Sequence, residues 1–258
     1  MKLSRGPLIA IATIVGILAG AALFILPRLQ AREAPCTARD FEGSRFIVCS
    51  YDARTHDMRL YSRAASGGYL RSLENLQREL GADARFVRFA MNAGMFNGRG
   101  APIGLYVEDG EEQKAISLTD GPGNFHLKPN GVFWQGGDGV LHIETSESYV
   151  LENRQPRWAT QSGPMLVIGG ELHPRFAEDG ASRLVRNGVG LRDSHTAYFV
   201  ISSGMVSFGR FARFFRDELR CRDALFLDGA VSSLWAPAIG RSDDSHALGP
   251  MVVVLDRR

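Results

Sequence analysis

Three cysteines in 258 residues, with no C-x-x-C pair and no Cys/His spacing of the metal-binding kind, give no basis for a structural zinc site. The chain also lacks a nucleophile elbow, a phosphate-cradling P-loop and a G-x-G-x-x-G following a strand, which removes the common signatures of serine hydrolases, NTPases and dinucleotide enzymes. It has no internal repeat and no low-complexity tract. It has no surplus of one charge either. The formal net charge is +2, and residues 1–35 hold Lys2, Arg5, Arg28 and Arg32 against Glu33; of the chain's 30 basic and 28 acidic side chains this leaves 26 and 27, a net of −1. A near-neutral body lacks the electrostatic footprint of a nucleic-acid binder. His126, His142, His173 and His195 are not spaced as metal ligands, and solvent or core roles fit them better; His195, in the loop Arg192-Asp193-Ser194-His195, is the one to follow.

What is present begins with nineteen uncharged residues, 8–26, LIAIATIVGILAGAALFIL. At about 1.5 Å per residue they span most of a hydrocarbon core roughly 30 Å thick. Lys2 and Arg5 precede them, so the positive-inside tendency keeps residues 1–7 in the cytoplasm and carries the rest across the membrane, with Arg28 and Arg32 weakening the asymmetry. The run is longer than a signal-peptide core and Leu29-Gln30-Ala31 is a poor cleavage site, so the reading is a retained single-pass anchor, with a cleaved signal as the alternative. Residues 27–44, rich in Pro, Ala and charge, read as a linker, and 45–258 as one exported domain. The compartment is then oxidising. A Cys36–Cys49 bridge would tie the domain's start to its first strand, leaving Cys221 unpaired; three reduced cysteines is the alternative.

Hydrophobic spacing predicts strands over 45–51, 58–62, 85–91, 103–108, 131–134, 140–143, 164–168, 188–192, 196–202 and 251–255. A helix is predicted over 69–80, ended by Gly81, and another over 207–219, with Ser207 as cap, Phe208, Phe211, Phe214, Phe215 and Leu219 on one face and Arg210, Arg213 and Arg216 on the other. Many short strands with two clear helices predict an α+β domain built on a mixed or antiparallel central sheet.

The stretch 224–235, ALFLDGAVSSLW, reads as a buried strand that delivers Asp228 to its C-terminal end, where Gly229 lets the backbone turn. Asp-Gly is also an ordinary turn dipeptide. The same pattern of a polar residue among glycines after an apolar run recurs at Asn92 and Gly94 in MNAGMF, Asn124 and Asn130 in GNFHLKPNG, Gln161-Ser162-Gly163, and Arg186-Asn187-Gly188. Each alone fits a turn; together they suggest loops gathered at sheet ends, where sites are built.

These residues resemble the phosphodiester glycosidase family, most closely a bacterial branch of membrane-anchored, exported proteins. The matching stretches are MNAGMF, PIGLYVEDG, GNFHLKPNGVFW, QSGPMLV, RNGVG, FGRFARFFRDEL and ALFLDGAVSSLWAP, in order over about residues 88–237. The resemblance implies hydrolysis of a sugar-1-phosphodiester, at a site formed by the Asn92 loop, the Ser162-Gly163-Pro164 turn, Arg186 and the Asp228-Gly229 turn. One position departs: the family commonly has a second glycine where this chain has Ala230.

On that resemblance, Asp228 is the expected base or nucleophile and Arg186 the partner of the leaving phosphate, a guanidinium being a planar fork of donors that keeps its charge. Asn92, Ser162 and Ser232 are expected to bond sugar hydroxyls or phosphate oxygens, with Gly94, Asn130, Gly163, Asn187 and Gly229 completing the binding loops, and Asp193 or Glu108 as a second carboxylate. No loop has the carboxylate spacing of a dedicated calcium site, so no cofactor is expected, a divalent cation such as calcium near the carboxylates being the alternative. The expected partners are a glycan or glycolipid phosphodiester and, through 8–26, the membrane. A tethered module that binds an envelope glycan without turning it over is the competing function.

Overall fold

The computed structural model describes residues 34–257, which belong to one compact unit beginning at Ala34. The expected anchor over 8–26 and the stretch 1–7 lie outside the described residues. None of the helices among the described residues is long and apolar enough to cross a membrane.

The α+β expectation holds, with a different sheet arrangement. In place of one central sheet there are three among the described residues, and their strands pair antiparallel throughout. The first has seven strands, running across Cys36–Phe41, Ser44–Asp52, Thr196–Ser202, Asn187–Leu191, Asp223–Phe226, Met165–Ile168 and Glu171–Leu172. The second has five, running across Arg241–Ser242, Leu234–Ala236, Val87–Asn92, Met251–Asp256 and His56–Tyr61. The third, also of five, runs across Glu111–Lys114, Tyr106–Glu108, Pro156–Ser162, Gly131–Gly136 and Leu141–Thr145.

All three sheets contribute to one core: Tyr51, Phe199 and Leu225 from the first, Met58, Phe89, Val252 and Val254 from the second, Tyr106, Phe133 and Trp158 from the third. The opposite face of the first sheet packs on the helix that starts at Phe208, through Phe211, Phe214, Phe215 and Leu219. The opposite face of the second packs on helix Leu73–Leu80 through Leu73, Leu76 and Leu80. Double coverage explains why MVVVL reads as an unbroken apolar run: Val252 and Val254 enter the shared core while Met251, Val253 and Leu255 face the helix.

Both helices start where their caps put them. Ser72 accepts from Asn75 N at 3.0 Å, so the first helix begins at Leu73, four residues later than expected. Ser207 accepts from Arg210 N at 3.2 Å, and after Phe208–Arg213 the chain widens into a π-helical turn over Phe214–Glu218.

The expected linker ends earlier than residue 44. Cys36–Phe41 is a strand paired with Ser44–Asp52 through Glu42 and Gly43, whose φ angles of 46° and 71° are those of a tight two-residue hairpin. The register sets Cys36 opposite Cys49, and the two form a disulfide; Cys221 is free and buried.

Candidate functional site

The candidate site lies where the chain crosses from sheet to sheet. Residues 227–233 join the first sheet to the second, 93–105 lead from the second to the third, and Gly163-Pro164 turns the third back into the first. Crossings at sheet corners need loops whose polar backbone is held by side chains, and that is where the glycine-flanked asparagines stand.

Asn92, only 1% exposed, ties the corner together. Its Nδ2 donates to Asp228 O at 2.8 Å and its Oδ1 accepts from Ser233 N at 2.9 Å. Asn187 Nδ2 donates to both the carbonyl and Oδ1 of Asn92 at 3.0 Å. Ser232 Oγ lies 3.2 Å from Asn187 Oδ1, 3.3 Å from Val185 O and 3.2 Å from Gly229 O. Asp228 N donates to Ala93 O at 3.1 Å. Three residues expected to bind substrate thus have their polar groups engaged with one another; they shape the turn that carries Asp228.

Asp228 itself is half-buried, and its carboxylate accepts from Ala230 N at 3.3 Å, capping the short helical turn Gly229–Val231. Burial raises its pKa above the usual aspartate value, opposed only by that one backbone N–H. Gly229 is required for packing: a Cβ there would lie 2.4 Å from the ring of Phe226. Ala230 is exposed and is absent from the positive-φ residues, so the departure from the family's second glycine introduces no backbone strain.

Arg186 is fully buried. Its Cζ sits 3.6 Å from the centroid of Phe208 and 5.5 Å from that of Phe226, Nε donates to Val206 O at 2.9 Å, and Nη2 donates to Ser182 O at 2.9 Å. No carboxylate among the described residues pairs with it, and Nη1 is buried without a partner. Burial lowers its pKa to about 10, which leaves it charged at neutral pH. A buried cation without a counter-ion is costly, and an anion at Nη1 would relieve the cost.

On the third-sheet side, Ser162 stands opposite Gly131, next to Asn130. Asn130 Nδ2 donates to Phe125 O at 2.8 Å, while Asn130 Oδ1 and Ser162 Oγ are buried with no partner in the protein. Gly163 fits between them because a Cβ would lie 2.6 Å from Asn130 Cβ, and a Cβ on Gly94 would lie 2.5 Å from Gln161 O and Thr160 Oγ1. Gln161 is structural: its Oε1 accepts from Leu105 N and Ser117 N, and its Nε2 donates to Ser117 O and Ser146 Oγ. Gly188 is structural as well, its Cβ position filled by Phe211 and Leu166 from the helix side.

The two proposed second carboxylates are not brought to this corner. Asp193 accepts from His195 N and Thr196 N in the hairpin at the far end of the strand that begins with Asn187, about 20 Å along at the usual strand rise. Glu108 accepts from Tyr106 Oη at 2.6 Å and lies about four residues, roughly 13 Å, down the strand pair from Ser162. His195 goes with Asp193. Among the described residues no group of three or more His, Cys, Asp and Glu is placed to hold a metal.

Sequence reasoning missed a cavity of about 540 Å³ beside the turn, lined by Gly229, Ala230 and Ser232 and also by Arg241, Asp243 and His246. The stretch RSDDSH has neither an apolar run nor a glycine, and the only signal in it is the Arg241-Ser242-Asp243 spacing. Asp243 accepts from Leu234 N at 2.9 Å and from Arg241 Nη2 at 2.8 Å, anchoring the edge strand.

A family model described as phosphodiester glycosidase matches residues 85–254. The chain is 31% identical over 218 residues to the uncharacterized protein YigE of Escherichia coli strain K12, covering 83% of each. Among solved structures, the catalytic domain of zebrafish N-acetylglucosamine-1-phosphodiester alpha-N-acetylglucosaminidase, auto-inhibited by its pro-peptide, is similar with a TM-score of 0.59 at 12% identity, covering 86% of this chain and 82% of that one. A hypothetical protein from Synechocystis is similar with a TM-score of 0.53 at 14% identity, covering 86% of this chain and 61% of the other. At these identities the solved structures speak to the fold alone.

Proposed function

The chain belongs to the phosphodiester glycosidase family and is a glycosidase acting on glycosyl phosphodiesters; from that premise we propose that it hydrolyses a sugar-1-phosphodiester of the cell envelope, with Asp228 as the reacting carboxylate. The observation that carries this is the setting of Asp228: a half-buried carboxylate with no cationic partner among the described residues, held at a sheet corner by its backbone and bonded only at Oδ1, by Ala230 N.

Cleavage between C1 and the bridging oxygen gives the free sugar and a phosphomonoester. Water supplies the oxygen at C1 and the proton balance on the products. Asp228 takes the proton from that water, or attacks C1 first. The departing phosphate is already a good leaving group, so a cation to receive its charge matters more than a strong acid to protonate it. Arg186 Nη1 is the donor offered for that charge, on a guanidinium that has no carboxylate of its own. Asn130 Oδ1 and Ser162 Oγ offer an acceptor and a hydroxyl to the sugar. Asn92, Asn187 and Ser232 act one layer out, by fixing the turn.

An extracytoplasmic, membrane-anchored setting is part of the proposal. It is supported by the Cys36–Cys49 disulfide, which belongs to an oxidising compartment, and by the apolar run over 8–26. The departure at Ala230 gives the binding-module alternative no support from strain, since that residue is exposed and has no positive φ.

The test is to incubate the protein with methyl N-acetylglucosamine-1-phosphate in ¹⁸O-water. Phosphorus NMR should show conversion of diester to methyl phosphate, with the label in the sugar. Label in the phosphate would mean P–O cleavage and a different enzyme class. No conversion across a panel of sugar-1-phosphate diesters, with binding retained, would return the binding module.

A further inference from the structure

Two of the large hydrophobic side chains left exposed among the described residues, Leu184 at 44% and Met205 at 68%, line the cavity beside the catalytic turn, together with Val185. Leu184 is held there by a bridge to Val206, the residue whose carbonyl accepts from Arg186 Nε, so this apolar wall is built on the same backbone that seats the proposed phosphate donor. Exposed Leu and Met at a concave surface adjoining a reaction site are a recognised place for an apolar ligand group.

The cavity is poorly suited to a second anion. Its arginine, Arg241, is engaged by Asp243, with Nε at 3.1 and 3.0 Å from the two carboxylate oxygens and Nη2 at 2.8 Å from one, and the exposed carboxylate of Asp244 is also in the lining. An anionic alcohol component would meet no free guanidinium there, only the imidazole of His246, whose Nδ1 lies 2.7 Å from Ser245 Oγ. An uncharged alkyl chain would meet Leu184, Val185 and Met205.

Resting on the function proposed above, we infer that this cavity is the leaving-group subsite and that the alcohol esterified to the phosphate carries an uncharged apolar chain, which makes the substrate a glycosyl phosphodiester of a long-chain alcohol. The position of Gly229, Ala230 and Ser232 in its wall places the subsite against the turn that carries Asp228.

The experiment compares methyl and octyl esters of N-acetylglucosamine-1-phosphate, kept below the aggregation concentration of the octyl compound, in turnover and in calorimetric binding. The octyl ester should bind at least about tenfold more tightly, since a few buried methylenes at about 0.8 kcal/mol each already give that factor. Met205→Ser and Leu184→Ser together should bring the octyl-to-methyl ratio toward one, and a carboxyheptyl ester should lose the advantage. Equal affinity for methyl and octyl esters, or an octyl preference unchanged in the double variant, would overturn the inference. If neither ester is hydrolysed but octyl binds more tightly and the double variant abolishes the difference, the subsite stands and the catalytic reading for this sugar fails.

Discussion

Asn92 Nδ2 donates to the backbone carbonyl of Asp228 at 2.8 Å, linking the end of a second-sheet strand to the end of a first-sheet strand 136 residues away. The Asn92 amide also receives Ser233 N and Asn187 Nδ2, so a single side chain fixes both sides of the turn that carries Asp228.

Asn92→Ala leaves Ser233 N without its acceptor and takes the Nδ2 donor from Asp228 O in a buried corner, while Asn187 Nδ2 keeps the Asn92 carbonyl. A loss of stability on the order of 2 kcal/mol is expected in urea unfolding, because an unsatisfied buried donor costs about 1–3 kcal/mol. Asn92→Asp keeps the shape and loses the donor to Asp228 O. It should lower kcat more than it raises KM, since the turn and not a substrate contact is affected; a pure KM effect would show that Asn92 touches substrate.

Asp228 has a folded-state pKa above its unfolded value, so the folded protein retains a proton that the unfolded chain has lost over the interval just above pH 3.8. Stability from this group is therefore present at the acid end and falls as pH rises through the folded pKa. Asp228→Asn should melt at a higher temperature than wild type at pH 7, with the difference disappearing below pH 3.8. Activity has the opposite dependence, failing as pH drops through the same raised pKa. A variant no more stable than wild type at neutral pH would show that the carboxylate is not desolvated.

Arg186 has aromatic rings for neighbours in place of a carboxylate. Arg186→Ala removes a fully buried side chain and should cost about 2–5 kcal/mol, so loss of activity in it would mix folding with chemistry. Arg186→Lys is the informative change: the charge remains, the fork and the stacking over Phe208 do not. It should fold at lowered stability and lose turnover of the phosphodiester at least about tenfold, because a lysine cannot hold the Val206 and Ser182 carbonyls with one end and present the Nη1 donor with the other. Wild-type turnover in Arg186→Lys would make the residue a structural cation only.

Much of this fold could be read from the chain, and the failures have a common cause. Apolar runs covered on both faces, such as MVVVL and the run ending at Asp228, declared themselves, as did the helix that Ser207 caps. Pro156–Ser162 did not, because its buried residues include Thr160, Gln161 and Ser162, whose polarity hides a central strand. Cys36–Phe41 did not, because an edge strand with four exposed positions has the composition of a linker. The glycine-flanked polar residues Asn92, Ser162 and Asp228 do fall at the crossings between sheets. Their division into binders and builders was not legible, since Asn92 and Asn187 bond each other across 95 residues of sequence. Asp193 and Glu108 look suitable as a second carboxylate until strand register puts them at the far ends of their strands from Asn187 and Ser162.

The Cys36–Cys49 bridge closes a loop with a sequence separation of 13 and joins the edge strand to the first sheet. Replacing both residues by Ser should lower stability by about 3 kcal/mol on the loop-entropy account. Reductant should destabilise the wild type by a similar amount and leave the double variant unchanged. Equal stability of wild type and double variant under oxidising conditions would contradict the bridge.

The central claim, a glycosidase whose reacting carboxylate is Asp228, is met most directly by phosphorus NMR on wild type and Asp228→Asn side by side, with methyl N-acetylglucosamine-1-phosphate in ¹⁸O-water. The account predicts that wild type converts the diester to methyl phosphate with the label in the sugar, and that the variant, at least as stable, leaves the diester unchanged. Turnover by Asp228→Asn at the wild-type rate would contradict it.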